Sequence, residues 1–127
     1  VVLADVRAEW PAELPASARS EQEALWCATQ SNGAGYFDGY ARLDRETGIT
    51  DRVALPPGVF GNEPVVVVDA DDALRSWLVT VQYDSRQNQS QLVVYDAEAL
   101  AGGPQYRGAL PSVVPFGFHG SFVPDGQ

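Results

Sequence analysis

Apolar and polar positions along this chain alternate in short runs, each cut off by residues that favour turns. Trp77, Val79, Val81 and Tyr83 alternate with Leu78, Thr80 and Gln82, the period-two pattern of a half-buried strand. Comparable runs predict strands over residues 25–29, 40–43, 52–55, 64–68, 77–83, 91–95, 106–110 and 118–123. Between them stand Asp44-Arg45-Glu46-Thr47-Gly48, Asp84-Ser85-Arg86-Gln87-Asn88 and Ala101-Gly102-Gly103-Pro104, all turn formers, and Pro56-Pro57-Gly58 ends a further run. One helical turn is predicted over 96–100, with Asp96 as its cap. Residues 1–20, with Pro11, Pro15 and several alanines, read as a connecting loop.

Short strands at near-regular spacing predict an all-β antiparallel meander: a sandwich, a small barrel or blades of a propeller. No near-identical internal repeat marks the chain. The order of strand, Asp-led turn, strand and Pro-rich loop nevertheless recurs, as it would in successive blades of diverged sequence.

Composition narrows the function classes. Hydrophobic residues make up 45% of the 127 positions, enough for a buried core. A net charge of −9 argues against nucleic acid and against anionic membrane surfaces, both of which call for clustered Lys and Arg. No run approaches the ~20 apolar residues of a membrane span. The opening Val1-Val2-Leu3-Ala4-Asp5 lacks a basic leader region, so no signal peptide is expected. The single cysteine, Cys27, excludes an internal disulfide, suits a reducing, cytosolic setting, and reads as a small buried hydrophobe. Methionine is absent even at position 1, as in a piece of a longer protein.

The candidate chemistry lies near the C-terminus. His119, the only histidine, sits in Pro115-Phe116-Gly117-Phe118-His119-Gly120-Ser121-Phe122. Glycines on either side let the backbone approach a metal or substrate closely, and the phenylalanines make the surroundings apolar. On composition alone, such a histidine is more often a packed core residue, and Glu63 before Pro64 is a strand-edge charge. Asp69, Asp71 and Asp72 lack the glycine and distal glutamate of a calcium loop and read as a solvated turn. Asn88-Gln89-Ser90 matches a glycosylation acceptor, which has no consequence without secretion. No Gly-x-Ser-x-Gly elbow is present, which argues against a serine hydrolase.

Four segments follow one another in a telling order. They are Phe60-Gly61-Asn62-Glu63-Pro64-Val65-Val66-Val67, Trp77-Leu78-Val79-Thr80-Val81-Gln82-Tyr83-Asp84, Leu92-Val93-Val94-Tyr95-Asp96-Ala97 and Val114-Pro115-Phe116-Gly117-Phe118-His119-Gly120. This succession resembles the C-terminal end of the carotenoid cleavage oxygenases, a family that includes stilbene-cleaving enzymes. Upstream, Tyr40-Ala41-Arg42-Leu43-Asp44-Arg45-Glu46-Thr47-Gly48 resembles the strand and turn that precede this end. The resemblance runs from about Trp10 onward and covers only the C-terminal portion of a family member.

The resemblance implies about two blades of a seven-bladed β-propeller. It implies a ferrous, non-haem iron, Fe(2+), held on the propeller axis by four histidines from different blades. With dioxygen, such an enzyme splits a carbon–carbon double bond of an apolar polyene or stilbene substrate into two carbonyl products. His119 falls on the last of the ligands, and Glu63 on a carboxylate that hydrogen-bonds a ligand histidine. A carboxylate in that place fixes the imidazole tautomer and raises its basicity. The chain departs from the family at Val66 and Val68, where an aromatic residue and a proline are common, and at Ser121-Phe122, in place of Asn-Trp. The other three ligands are expected from an N-terminal propeller portion, so this chain alone should neither hold iron nor turn over substrate. The competing expectation is a non-catalytic all-β interaction module or propeller remnant without metal. Histidines on propeller-like strands upstream would discriminate the two.

Overall fold

A computed structural model describes residues 2–3, 6–13, 24–31, 36–44 and 46–114. Among the described residues, ten strands follow in chain order: β1 (Val2–Leu3), β2 (Val6–Glu13), β3 (Ala24–Gln30), β4 (Gly39–Asp44), β5 (Gly48–Ala54), β6 (Val59–Gly61), β7 (Val65–Val68), β8 (Ser76–Asp84), β9 (Gln89–Asp96) and β10 (Pro104–Ala109). They form two sheets in which every pairing is antiparallel. The first runs β1-β2-β3-β4-β5, and the second runs β10-β9-β8 with β6 and β7 both paired to β8. This is the all-β meander that the periodicity predicts.

Residues 1–20 are not simply a connector, because they contain β1 and β2. Pro11 obscures β2 in the sequence. It falls where the β2–β3 register shifts between Glu9 and Ala12, a place where a missing N–H does least harm to the ladder. The helical turn also moves. Asp96 instead closes a tight turn, accepting the Glu98 N–H at 3.0 Å on its side chain and the Ala99 N–H at 3.1 Å on its backbone. A 3-10 turn then spans Leu100–Gly102. The predicted strand at 118–123 lies outside the described residues.

The turn chemistry holds where the sequence places it. Asp44 accepts the N–H groups of Glu46 and Thr47 at 2.8 and 3.1 Å, and Gly48 takes a φ of 89° that disfavours any side chain. These hydrogen bonds to a carboxylate hold the Asp44 side chain below its usual range.

The core lies between the sheets. Trp26, Ala28 and Tyr40 of the first sheet meet Val66, Leu78, Val93 and Tyr95 of the second, together with Leu100 of the 3-10 turn. Polar ties cross the same gap. Trp26 Nε1 donates to the Ala97 carbonyl at 2.7 Å, and the Asp51 carboxylate accepts the N–H groups of Leu100 and Ala101 at 2.5 and 3.2 Å. Asp51 thus caps, from β5, a turn that has no cap of its own. Arg42 adds an ion pair to Glu98 at 3.3 Å.

Strand β8 has two working faces. Leu78, Thr80 and Gln82 turn inward and are buried, while Trp77, Val79, Val81 and Tyr83 form a half-buried apolar row on the other side. A sheet covered on one side only would put its polar residues outward. Here the polar residues are inside, where Thr80 and the Gln82 amide nitrogen find hydrogen-bond partners, and the outer face is apolar as well, the pattern of a sheet built to be covered on both sides.

Candidate functional site

Glu63 stands at a break in a strand. Val79 pairs with Val65 on one edge of β8 and with Val94 on the other, so β6 and β7 share the edge away from β9. Gly61 pairs with Gln82 and Val65 with Val79, which leaves residues 62–64 opposite Thr80 and Val81 alone. One strand therefore carries an extra residue, the arrangement by which a bulge turns a side chain away from the regular alternation. Pro64, fully buried, has no N–H to give to the ladder, which fits it to this place. Asn62 repairs the gap by donating both its backbone N–H and its Nδ2 to the Val81 carbonyl, at 3.2 and 3.1 Å. Glu63 is partly buried at the bend.

A buried polar network holds this bend. Tyr40, fully buried on β4, places its hydroxyl 3.0 Å from the Asn62 carbonyl and 2.8 Å from Thr80 Oγ1. Thr80 Oγ1 in turn lies 3.2 Å from the Asn62 carbonyl and 3.4 Å from that of Glu63. Burial, foremost, pushes the Tyr40 hydroxyl far above the ordinary tyrosine range, so it keeps its proton and remains a donor. Alongside, Gln82 Nε2 donates to the Tyr95 hydroxyl at 2.7 Å, and the rings of Tyr40 and Tyr95 sit 5.9 Å apart. The Asn62 Oδ1 and Gln82 Oε1 atoms are buried acceptors with no donor among the described residues.

His119 lies outside the described residues, so of the two candidate site residues the structure places Glu63 alone. Among the described residues, no group of three or more His, Cys, Asp or Glu side chains could hold a metal. Asp69 is engaged locally, accepting the Asp71 and Asp72 N–H groups at 2.8 and 3.1 Å and Trp77 Nε1 at 2.8 Å. The Trp77 bond, foremost, and these backbone donors hold the Asp69 carboxyl below its usual pKa and complete the solvated turn that the sequence predicts.

Cys27 is buried, and desolvation pushes its thiol up to about 11, opposed by its contact with the Ala41 carbonyl at 3.8 Å. Its pKa is 9.0 when unperturbed, so the unfolded thiol ionises first and Cys27 withdraws stability as pH rises from 9.0 to about 11. Below that window it is neutral in both states. An alkylating reagent at about pH 8 should leave Cys27 intact in the folded protein and label it in denaturant, as mass spectrometry would read. Labelling at equal rates in both states would overturn the assignment of Cys27 as an inert core residue.

Comparisons with known proteins bear on the family and the fold. The family model described as "RPE65: Retinal pigment epithelial membrane protein" matches residues 1–124. The chain belongs to this family. The chain is also similar to the chloroplastic 9-cis-epoxycarotenoid dioxygenase NCED6 of Arabidopsis thaliana, 31% identical over 90 residues, which are 70% of this chain and 15% of that protein. Among solved structures, a Synechocystis ACO mutant superposes with a TM-score of 0.78 at 22% identity, over 91% of this chain and 25% of that one. The lignostilbene dioxygenase of Pseudomonas brassicacearum gives a TM-score of 0.70 at 20% identity, over 84% of this chain and 25% of that one. A cobalt-substituted Synechocystis ACO is a further neighbour, with a TM-score of 0.68.

The chain thus spans about a quarter of the length of the oxygenase structures it matches. Its two sheets correspond to blades of the seven-bladed propeller of this family of carotenoid cleavage oxygenases. Tyr40 and Thr80 are the residues that sequence reasoning missed. The available signal was Gly61, since a glycine inside a strand pattern marks a close approach by another group.

Proposed function

We propose that this chain is the C-terminal part of a non-haem iron(II)-dependent dioxygenase that cleaves a carbon–carbon double bond of a carotenoid, apocarotenoid or stilbene-type substrate. His119 serves as a metal ligand, and Glu63 accepts a hydrogen bond from the outer ring nitrogen of a ligand histidine. The other ligands, and most of the pocket for the apolar substrate and dioxygen, come from the N-terminal portion of the propeller. Iron, when bound, supplies the activation of dioxygen that a closed-shell organic substrate requires.

The observation that carries the reading is the bend at Asn62-Glu63-Pro64. A charged side chain is set there at an interrupted strand, on a backbone held by buried hydroxyl groups, a costly arrangement for a mere strand-edge charge. Family membership and the printed activities of the relatives support the reaction class. No helix among the described residues is long and apolar enough to cross a membrane. The single buried cysteine supports a reducing, cytoplasmic setting.

The test uses the full-length protein. It should contain iron and form carbonyl products from a polyene or stilbene only when dioxygen is present. Glu63→Gln, which keeps the shape and removes the charge, should weaken iron binding or turnover by roughly 10- to 100-fold. A full-length protein with neither iron nor oxygen-dependent cleavage would instead favour a non-catalytic propeller module.

A further inference from the structure

Tyr40 belongs to the first sheet, yet its hydroxyl ends on the segment of the second sheet that carries Glu63. The two carbonyls reached by the Tyr40–Thr80 pair belong to Asn62 and Glu63. They are the peptide oxygens immediately before and after the Glu63 Cα atom. Of the two hydroxyl protons, one spans the 2.8 Å Tyr40–Thr80 contact and the other anchors the Asn62 carbonyl, which fixes the peptide plane leading into Glu63 and with it the direction in which the Glu63 side chain leaves the backbone. The buried Pro64 ring constrains the exit.

Gly61 shows that this approach is built into the fold. A Cβ atom at Gly61 would lie 2.5 Å from the Tyr40 hydroxyl oxygen and 3.0 Å from its Cζ. Any side chain there would push Tyr40 away, so the glycine of the Gly-x-Glu-Pro segment is the opening through which Tyr40 reaches the bend. The geometry points to Tyr40, acting with Thr80, as a positioning residue for the Glu63 carboxylate, so that one blade sets the orientation of a metal-supporting group in the next. This rests on the reading of Glu63 given above.

The alternative is that Tyr40 only fills the core, where its ring packs against Tyr95. Tyr40→Phe keeps the ring and deletes the hydroxyl. The experiment compares Tyr40→Phe, Glu63→Gln and the double variant in the full-length protein. It reads affinity for ferrous iron by chelator competition, with thermal melting of the metal-free protein as a control for folding. Tyr40→Phe should weaken iron binding roughly 3- to 10-fold, the scale of one lost buried hydrogen bond. If Tyr40 acts through Glu63, the double variant should bind no more weakly than Glu63→Gln alone.

Independent, multiplying losses in the double variant would mean that Tyr40 acts on packing, and would overturn the inference. An unchanged affinity in Tyr40→Phe beside a weakened Glu63→Gln would also overturn it, while leaving the role of Glu63 in place. An unchanged affinity in Glu63→Gln would remove the role of Glu63 and this inference together. Should Tyr40→Phe fail to fold, Thr80→Val carries the same comparison, because it removes the partner hydroxyl and leaves Tyr40 in place.

Discussion

His119→Ala in the full-length protein is expected to abolish both bound iron and oxygen-dependent cleavage. An imidazole that donates directly to a metal cannot be replaced by a methyl group, and neighbouring phenylalanines offer no substitute donor. The loss should exceed that from Glu63→Gln, since an outer carboxylate only orients and strengthens a ligand that remains bound. Metal analysis of purified protein, together with product formation under air and under nitrogen, separates the two. If His119→Ala keeps full iron content and full turnover, His119 is a packing residue and the assignment of the metal ligand is wrong.

The second large effect concerns the 127-residue chain expressed by itself. Its inter-sheet core is well formed, with Trp26, Tyr40, Leu78 and Leu100 fully buried. The outer face of the second sheet is a different matter. Val65, Val67, Trp77, Val79, Val81, Leu92 and Val94 line it, all only partly buried. A contiguous apolar face of this kind, next to sheet edges left unpaired among the described residues, favours self-association. The isolated chain should therefore aggregate, form oligomers or melt without a sharp transition, and it should bind no iron tightly and cleave no polyene. Light scattering and a thermal melt decide the point: a monomer with a cooperative transition would show that two blades suffice for a stable unit.

Legibility in the sequence followed the range of the interactions. Strand β8 was readable because its alternation extends over nine residues without interruption. Strand β2 was not, because Pro11 and the register shift break the period in its middle. Strand β6 has only three residues, too few for any period to register. The inward placement of Thr80 and Gln82 ran against the usual assignment of apolar residues to the core. It makes sense only once the partners Tyr40 and Tyr95 are in place, 40 and 13 positions away in the chain. Glu63 could be singled out as a candidate by its motif. The contacts that hold it could not, since nothing local links a strand-bound tyrosine to a bend 22 residues later.

The crossing of Tyr40 through the opening at Gly61 also bears on how such proteins can be recombined. A propeller invites exchange of blades as whole modules between relatives, with the loop at 55–58 as the natural seam. Here that seam would separate Tyr40 from the bend it grips. A hybrid joined at 55–58 would inherit its bend from one parent and the hydroxyl that grips it from the other. A junction upstream of β4 keeps the pair together, so the unit of inheritance around Glu63 is a blade and the last two strands of its predecessor.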